Sequence, residues 1–172
     1  MFKWLFGGRE PRSEAGGNAE LIVVGRTVDA PPERAFEVFV DRFGSWWPRE
    51  RTWAGGELAD TIVTAATNGR CFERRNDGTE AVWGTVLTVS RPDHIVIAWQ
   101  IGPDRTPEAS EATASRLDVR FVAGDGGGTD VVVVHRDFPR HGDGWRKYRA
   151  EMAGKQGWPM LIEAYARAVA SA

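Results

Sequence analysis

His135 and Asp137 are the two residues of this sequence whose types and spacing best fit acid–base chemistry. They stand two positions apart in a valine-rich segment, and alternate residues of a strand point to the same face of a sheet. Val131 and Val133 share that face, so we expect His135 to point into the interior. There it could act as a general base oriented by Asp137, or it could anchor a polar group of a ligand. The alternative is a hydrogen-bonded histidine of the core or its rim.

Two further residues, His141 and Cys71, are weaker candidates for chemistry. His141 follows in a loop and could join His135 and Asp137 around a metal, but the loop leaves the geometry unspecified. Cys71 has arginines on both sides, which would lower the pKa of its thiol, although a lone cysteine in a strand is more often a small buried hydrophobe. A single cysteine excludes an internal disulfide and a cysteine metal cluster. We therefore expect neither a metal nor a cofactor.

A basic group near the C-terminus comprises Arg140, His141, Arg146, Lys147 and Arg149. Acidic residues interleave with it, which is typical of a solvated helix face. The alternative is a cavity mouth that attracts an anionic ligand or an acidic partner.

Composition excludes several classes of protein. The chain has 172 residues, 42% of them hydrophobic and 27% charged, as in an ordinary soluble domain. Its 22 Lys and Arg balance 24 Asp and Glu, so no basic surface for nucleic acid is indicated. No apolar run approaches the roughly 20 residues that span a bilayer. A serine nucleophile elbow, a phosphate-binding loop, a HExxH helix and a CxxC pair are absent from the sequence. These features predict a cytoplasmic protein without stable membrane insertion.

Tryptophan is unusually frequent, with eight residues against two tyrosines. Tryptophan suits cores and ligand cavities alike, because it joins a large apolar area to one N–H donor. Five aromatic residues lie on separate predicted strands or on the last helix, namely Phe72, Trp83, Trp99, Phe121 and Trp158. They could line a common cavity or fill it completely.

The elements that must position these residues follow from the hydrophobic pattern. Residues 20–28 read as a strand, and Pro31-Pro32 opens a helix with a short helical turn after it. A helix is predicted over 142–152, and a longer one begins at Pro159. Between the first helix and these two C-terminal helices, about six antiparallel strands are predicted, separated by turns at 76–78, 90–93 and 124–128. The prediction is an α+β fold in which a curved antiparallel sheet of about seven strands is covered by the C-terminal helix, with two short helices after the first strand.

The first 19 residues differ from the rest. Their opening, Met1 to Phe6, is apolar, and glycine, proline and charged residues follow. We divide the chain into a flexible tail, 1–19, and a domain, 20–172. Docking of the tail onto its own domain, or onto a neighbouring copy in a homodimer, is an open alternative.

The order of motifs resembles the START-like (SRPBCC) superfamily with its helix-grip fold, and more closely the family of activators of the heat-shock-protein-90 ATPase. The resemblance covers about residues 20–170. It is carried by the strand-to-helix entry at 28–36, the aromatic segment 43–47, the hairpin from Gly84 to Trp99, the late strand 129–135 and the start of the last helix at 157–162. The segment 136–156 is longer than this pattern implies and should lie at the cavity mouth.

The resemblance implies an internal cavity but not one chemistry, since members include chaperone regulators, carriers of hydrophobic ligands and polyketide cyclases. We expect binding of a small apolar ligand, lipid-like or aromatic, in a cavity between the sheet and the C-terminal helix. The expected lining residues are Phe72, Trp83, Val86, Trp99, Phe121, Val133, His135, Trp158, Met160 and Ile162. The alternatives are a cyclase or hydrolase of polyketide-like substrates that uses His135 and Asp137, and a domain that regulates a chaperone ATPase.

Overall fold

A computed structural model describes residues 20–172, so the predicted tail lies outside the described residues. The seven strands form one antiparallel sheet in the order β1-β7-β6-β5-β4-β3-β2. Their bounds are β1 Ile22–Val28, β2 Leu58–Val63, β3 Arg70–Arg75, β4 Glu80–Ser90, β5 His94–Trp99, β6 Ser115–Ala123 and β7 Thr129–Arg136. The predicted antiparallel α+β helix-grip architecture is confirmed.

The predicted turns connect these strands. Gly78 has a φ of +86° in the hairpin between β3 and β4, where a residue with a side chain would be strained. Gly84 on β4 pairs with Trp99 on β5. A Cβ atom there would lie 3.2 Å from the Cβ of Cys71, so this tight part of the sheet requires glycine.

The first helix differs from a continuous α-helix. Helix α1, Pro32–Phe36, widens into a π-helical turn over Glu37–Asp41. Three successive residues of that turn, Val38, Phe39 and Val40, are all buried, so the turn is enclosed by the protein on more than one face. The wider turn brings Phe39 against the ring of Phe121, with 5.7 Å between the centroids.

The C-terminal helices close the concave face of the sheet. Helix α2 spans Trp145–Ala153, and helix α3 spans Trp158–Ala170. Tyr165 of α3 packs on Phe39 and donates its hydroxyl proton to the carbonyl of Ala35 at 2.9 Å. The space beneath α3 is therefore filled by aromatic and aliphatic side chains, each worth about 1.5–3 kcal/mol when fully buried.

Candidate functional site

A cavity of about 560 Å³ opens at one end of the concave face, between the end of β5, the segment 47–53 and helix α2. Aromatic and aliphatic side chains form most of its wall, and charged or polar ones surround its mouth. The lining residues that carry the argument below are Trp47, Trp53, Trp99, Arg105, Tyr148 and Met152.

The back wall is formed by Trp99, the last residue of β5, and Tyr148, from the second turn of α2. The indole N–H of Trp99 donates to the Tyr148 hydroxyl oxygen at 2.8 Å. This hydrogen bond joins the sheet to α2 inside the site. Burial raises the pKa of the Tyr148 phenol, so the hydroxyl stays protonated at physiological pH.

Trp53 lies at one side of the mouth and is held at two points. Its backbone N–H donates to the carboxylate of Glu73 at 3.0 Å, and its indole N–H donates to the carbonyl of Arg105 at 2.8 Å. Glu73 itself is only 2% exposed and also accepts the backbone N–H of Ala54 at 3.1 Å. Burial raises the pKa of Glu73, and these backbone hydrogen bonds partly offset that effect.

Arg105 is the charged residue most closely integrated with the wall. Its φ of +66° lies in the left-handed region, which is uncommon for a residue with a side chain. Its guanidinium lies 4.6 Å from the centroid of the Tyr148 ring and bonds the Glu151 carboxylate at 2.7 Å. The same pairing lowers the pKa of Glu151.

Behind the back wall, five residues are joined by continuous hydrogen bonds that run from the core to a partly exposed carboxylate. We call this set the histidine network: Trp158, His135, Ser115, His141 and Glu108. Trp158 Nε1–H donates to His135 Nδ1 at 3.0 Å. An indole can only donate, so the proton of His135 is on Nε2, which bonds Ser115 Oγ at 2.7 Å. The network ends with Ser115 Oγ, 2.9 Å from His141 Nε2, and His141 Nδ1, 3.2 Å from Glu108.

The donors and acceptors of this network fit one orientation. Since Ser115 accepts from His135, its hydroxyl proton is free to donate to His141 Nε2, and His141 Nδ1–H then donates to Glu108. Burial lowers the pKa of His135 far below its usual value, and the neighbouring His141 adds to this effect. Burial also lowers the pKa of His141, against an opposing effect of Glu108. Both histidines are therefore neutral at pH 7.

The order Ser115, His141 and Glu108 reproduces the hydrogen-bond sequence of a hydrolase triad. Ser115, however, has no exposed surface and does not line the cavity. Its hydroxyl oxygen is already used by His135. The arrangement therefore connects β6, β7 and the 3-10 turn Phe138–His141, and it presents no nucleophile to a substrate.

The residues predicted to line a cavity are distributed differently. Trp99 is the one member of the set on the wall of the 560 Å³ cavity. Phe72 lies under the guanidinium groups of Arg70 and Arg74, outside the main core cluster. The others pack within the core or against it, namely Trp83, Val86, Phe121, Val133, His135, Trp158, Met160 and Ile162.

The predicted acid–base pair is not formed. His135 points inward as expected and has no exposed surface. Strand β7 ends at Arg136, and Asp137 adopts a left-handed φ of +65° that breaks the alternation. Its carboxylate bonds the Arg136 guanidinium at 2.8 Å at the surface instead of orienting His135.

The other residues considered for chemistry, Cys71 and the basic group, do not come together in one site either. Burial raises the pKa of the Cys71 thiol, contrary to the effect expected from its arginine neighbours. In the predicted basic group, Arg140 bonds the carbonyl of Ala114, and Arg149 bonds that of Leu21. Within residues 20–172, no three His, Cys, Asp or Glu side chains are grouped as a metal site would require. None of the helices within residues 20–172 has the length and apolar composition of a membrane-spanning segment.

Several residues of the site were missed by sequence reasoning. Tyr148, Glu151, Met152 and Gln156 come from the long segment 136–156, which was expected at the mouth, but no spacing rule selected them. Arg105 and Glu108 lie in a polar loop whose path depends on tertiary contacts. Two tyrosines in the whole chain are a weak signal that could have drawn attention to Tyr148.

A curved antiparallel sheet that grips a C-terminal helix, with a cavity at its open end, defines a helix-grip protein of the START-like class. A family model described as Activator of Hsp90 ATPase homolog 1-like protein matches residues 29–170, and the chain belongs to this family. No curated protein sequence matches the chain.

Solved structures share the fold. The anthrahydroquino-gamma-pyrone synthase Txn09, solved in complex with SUM, is 30% identical, with a TM-score of 0.61 over 87% of this chain and 98% of that one. The self-sacrificing resistance protein CalC from Micromonospora echinospora is 26% identical, with a TM-score of 0.65 over 89% and 96%. Protein NE0264 from Nitrosomonas europaea is 14% identical, with a TM-score of 0.63 over 89% and 96%, and shows the shared fold alone.

Proposed function

We propose that this protein binds a planar aromatic small molecule in the cavity between β5, the segment 47–53 and α2. The observation that carries the proposal is the 560 Å³ cavity walled by Trp47, Trp53, Trp99 and Tyr148. Its volume falls within the range of about 300–1,000 Å³ that is usual for ligand sites. Its apolar interior and polar mouth match a ligand that buries its rings and leaves a polar end in water.

The shape of the wall favours an aromatic ligand over a lipid chain. Aromatic rings contact one another favourably in offset or edge-on arrangements, so a wall made of such rings favours a flat aromatic ligand. The Trp47 and Trp99 rings, for example, are 5.8 Å apart and inclined at 60°. The name of the 30% identical synthase refers to an anthrahydroquinone fused to a pyrone, which supports a polycyclic aromatic class here.

The test is isothermal titration of the full chain with anthracene sulfonate and, separately, with dodecanoate. We expect the anthracene probe to bind and dodecanoate to bind at least about tenfold more weakly. Trp53→Ala removes one wall and should weaken binding by about tenfold or more. Trp145→Ala is the matched control, because Trp145 lies on α2 but does not line the cavity.

Absence of binding by the anthracene probe at millimolar concentration would overturn the proposal. Tighter binding of dodecanoate would replace the aromatic class by a lipid one. Equal losses in the two tryptophan variants would place the binding site outside this cavity.

Catalysis in the same cavity is the second candidate, and the identity to a synthase favours it. His135 cannot supply the base, because both ring nitrogens are bonded inside the core. Tyr148 and Arg105 would instead have to act on the substrate. Mass spectrometry of a poly-β-ketone thioester incubated with the protein tests this candidate, and loss of water or of the thiol would support it.

Regulation of a chaperone ATPase is a third prediction, which rests on the family description. It would use a surface, so Trp53→Ala should not impair it. The ATPase rate of purified Hsp90 with and without this protein measures the effect directly.

A further inference from the structure

The Tyr148 hydroxyl accepts a hydrogen bond but donates none to another described residue. Its oxygen accepts the indole N–H of Trp99 at 2.8 Å. Its own proton has no acceptor within hydrogen-bonding distance among residues 20–172. Buried hydroxyl groups normally donate as well as accept, because a buried donor without a partner is unfavourable.

The surroundings leave few places for that acceptor. The Tyr148 side chain is 1% exposed, so bulk water does not reach it freely. The edges of Phe138 and His141 pack against its ring, at centroid distances of 5.7 and 5.4 Å. The Arg105 guanidinium covers the ring as well and offers only donors. Because Tyr148 lines the cavity, the remaining source of an acceptor is a molecule in that cavity, either water or a ligand that displaces it.

We propose that Tyr148 donates its hydroxyl proton to a carbonyl oxygen of the bound molecule, so that the site selects aromatic ketones and quinones over aromatic hydrocarbons. This inference rests on the proposed function and adds the polar group that the ligand must carry. The hydrogen bond from Trp99 fixes the hydroxyl oxygen in place and polarises its O–H bond, which makes it a better donor.

Charge favours a neutral carbonyl over a carboxylate at this point. Arg105, the cation that covers the ring, is already paired with Glu151 at 2.7 Å. An anionic oxygen placed beside Tyr148 would lose its hydration without gaining a free cation. A carbonyl oxygen needs only the single donor that Tyr148 offers.

The experiment compares two probes of equal charge and nearly equal ring area, anthraquinone sulfonate and anthracene sulfonate, substituted at the same ring position. Isothermal titration of the full chain should show the quinone binding about tenfold more tightly. Tyr148→Phe should abolish this preference, so that the quinone binds no more tightly than anthracene sulfonate does. Tyr165→Phe is the matched control, because its hydroxyl bonds the Ala35 carbonyl away from the cavity, and it should retain the preference.

Three results would overturn the inference. If neither probe binds the unmodified chain, the proposed function fails, and this inference fails with it. If both bind equally, the cavity takes aromatic molecules but the carbonyl inference is overturned. A preference that persists in Tyr148→Phe overturns the role of Tyr148.

A second measurement does not depend on the folding of the variant. The infrared carbonyl stretch of the quinone bound to the unmodified chain should move to lower frequency than in an aprotic solvent, as expected for an accepted hydrogen bond. An unshifted band would overturn the inference.

Discussion

Both ring nitrogens of His135 are used inside the protein, which makes this residue part of the core. Trp158 donates to one nitrogen, and the other donates to Ser115. A buried polar group is stabilising only while its partners are present, because each partner that loses its hydrogen bond remains desolvated. The same bonds that exclude His135 from acid–base chemistry make it sensitive to replacement.

We expect His135→Ala to lower the free energy of unfolding by about 2–4 kcal/mol, since it leaves a cavity and two buried partners without hydrogen bonds. Ligand affinity in the folded variant should stay within about threefold of the original, because His135 does not line the cavity. Urea unfolding and titration with anthracene sulfonate measure the two effects.

His94→Ala is the control for this variant. His94 bonds Asp118 at 2.8 Å on the outer face of the sheet, and its loss should cost no more than about 1 kcal/mol. Loss of binding in His135→Ala without loss of stability would show that His135 contacts the ligand after all.

At the scale of elements, the segment that carries Trp53 depends on a strand to which it is not paired. Glu73 of β3 accepts two successive backbone N–H groups, from Trp53 and Ala54, and thereby holds the segment over the cavity. Both N–H groups donate to the same carboxylate oxygen, at 3.0 and 3.1 Å, and the Trp53 N–H also reaches the second oxygen at 3.2 Å. A glutamine amide keeps one oxygen but places an NH2 donor where the second oxygen lies, facing the Trp53 N–H.

Replacement of Glu73 by glutamine should therefore bring a donor against the Trp53 N–H and lower the free energy of unfolding by about 1–3 kcal/mol. We expect faster amide hydrogen exchange at Trp53 and Ala54 and weaker binding of anthracene sulfonate. Hydrogen exchange followed by mass spectrometry measures the first effect, and titration measures the second.

Glu80→Gln is the matched control on the neighbouring strand β4, because Glu80 pairs with Arg70 and Arg74 at the surface. It should change stability less than Glu73→Gln does and leave exchange at Trp53 unchanged. Unchanged exchange at Trp53 in Glu73→Gln would mean that other contacts hold the segment.

For the whole molecule, the histidine network links stability to pH. His135 and His141 are held neutral by burial, with pKa values below those of an unfolded chain. Below about pH 6.5 the unfolded state therefore binds more protons than the folded state, so stability falls as pH falls. Their contribution is fully present above that pH and is lost below it.

We expect the free energy of unfolding to decrease below pH 6.5 by up to about 1.4 kcal/mol per pH unit for each histidine. His141→Gln removes one titrating group and should reduce this slope by less than half, because the pKa of His141 is lowered less than that of His135. Urea unfolding between pH 7.5 and 5 tests the prediction. A slope of zero, or one of opposite sign, would show that the histidines are protonated in the folded state.

The sequence by itself determined the architecture, because local signals were strong and agreed with each other. Alternation over the predicted strands 115–122 and 129–138 indicated which residues of β6 and β7 face the core, and the Asn-Asp-Gly turn at 76–78 marked a hairpin. The spacing of apolar residues after Pro159 located the last helix. These signals depend on neighbours in the chain, so they can be read without a structure.

Only the tertiary structure decided where empty space remains. Trp99 and Trp158 both looked like cavity residues, yet one lines the cavity and the other bonds His135 in the core. In the sequence Asp137 continues the alternation of β7, but its own left-handed backbone conformation ends the strand at Arg136. Cavities and buried hydrogen bonds depend on side chains from distant segments, such as Arg105, Tyr148 and Trp53, whose contacts no local pattern specifies.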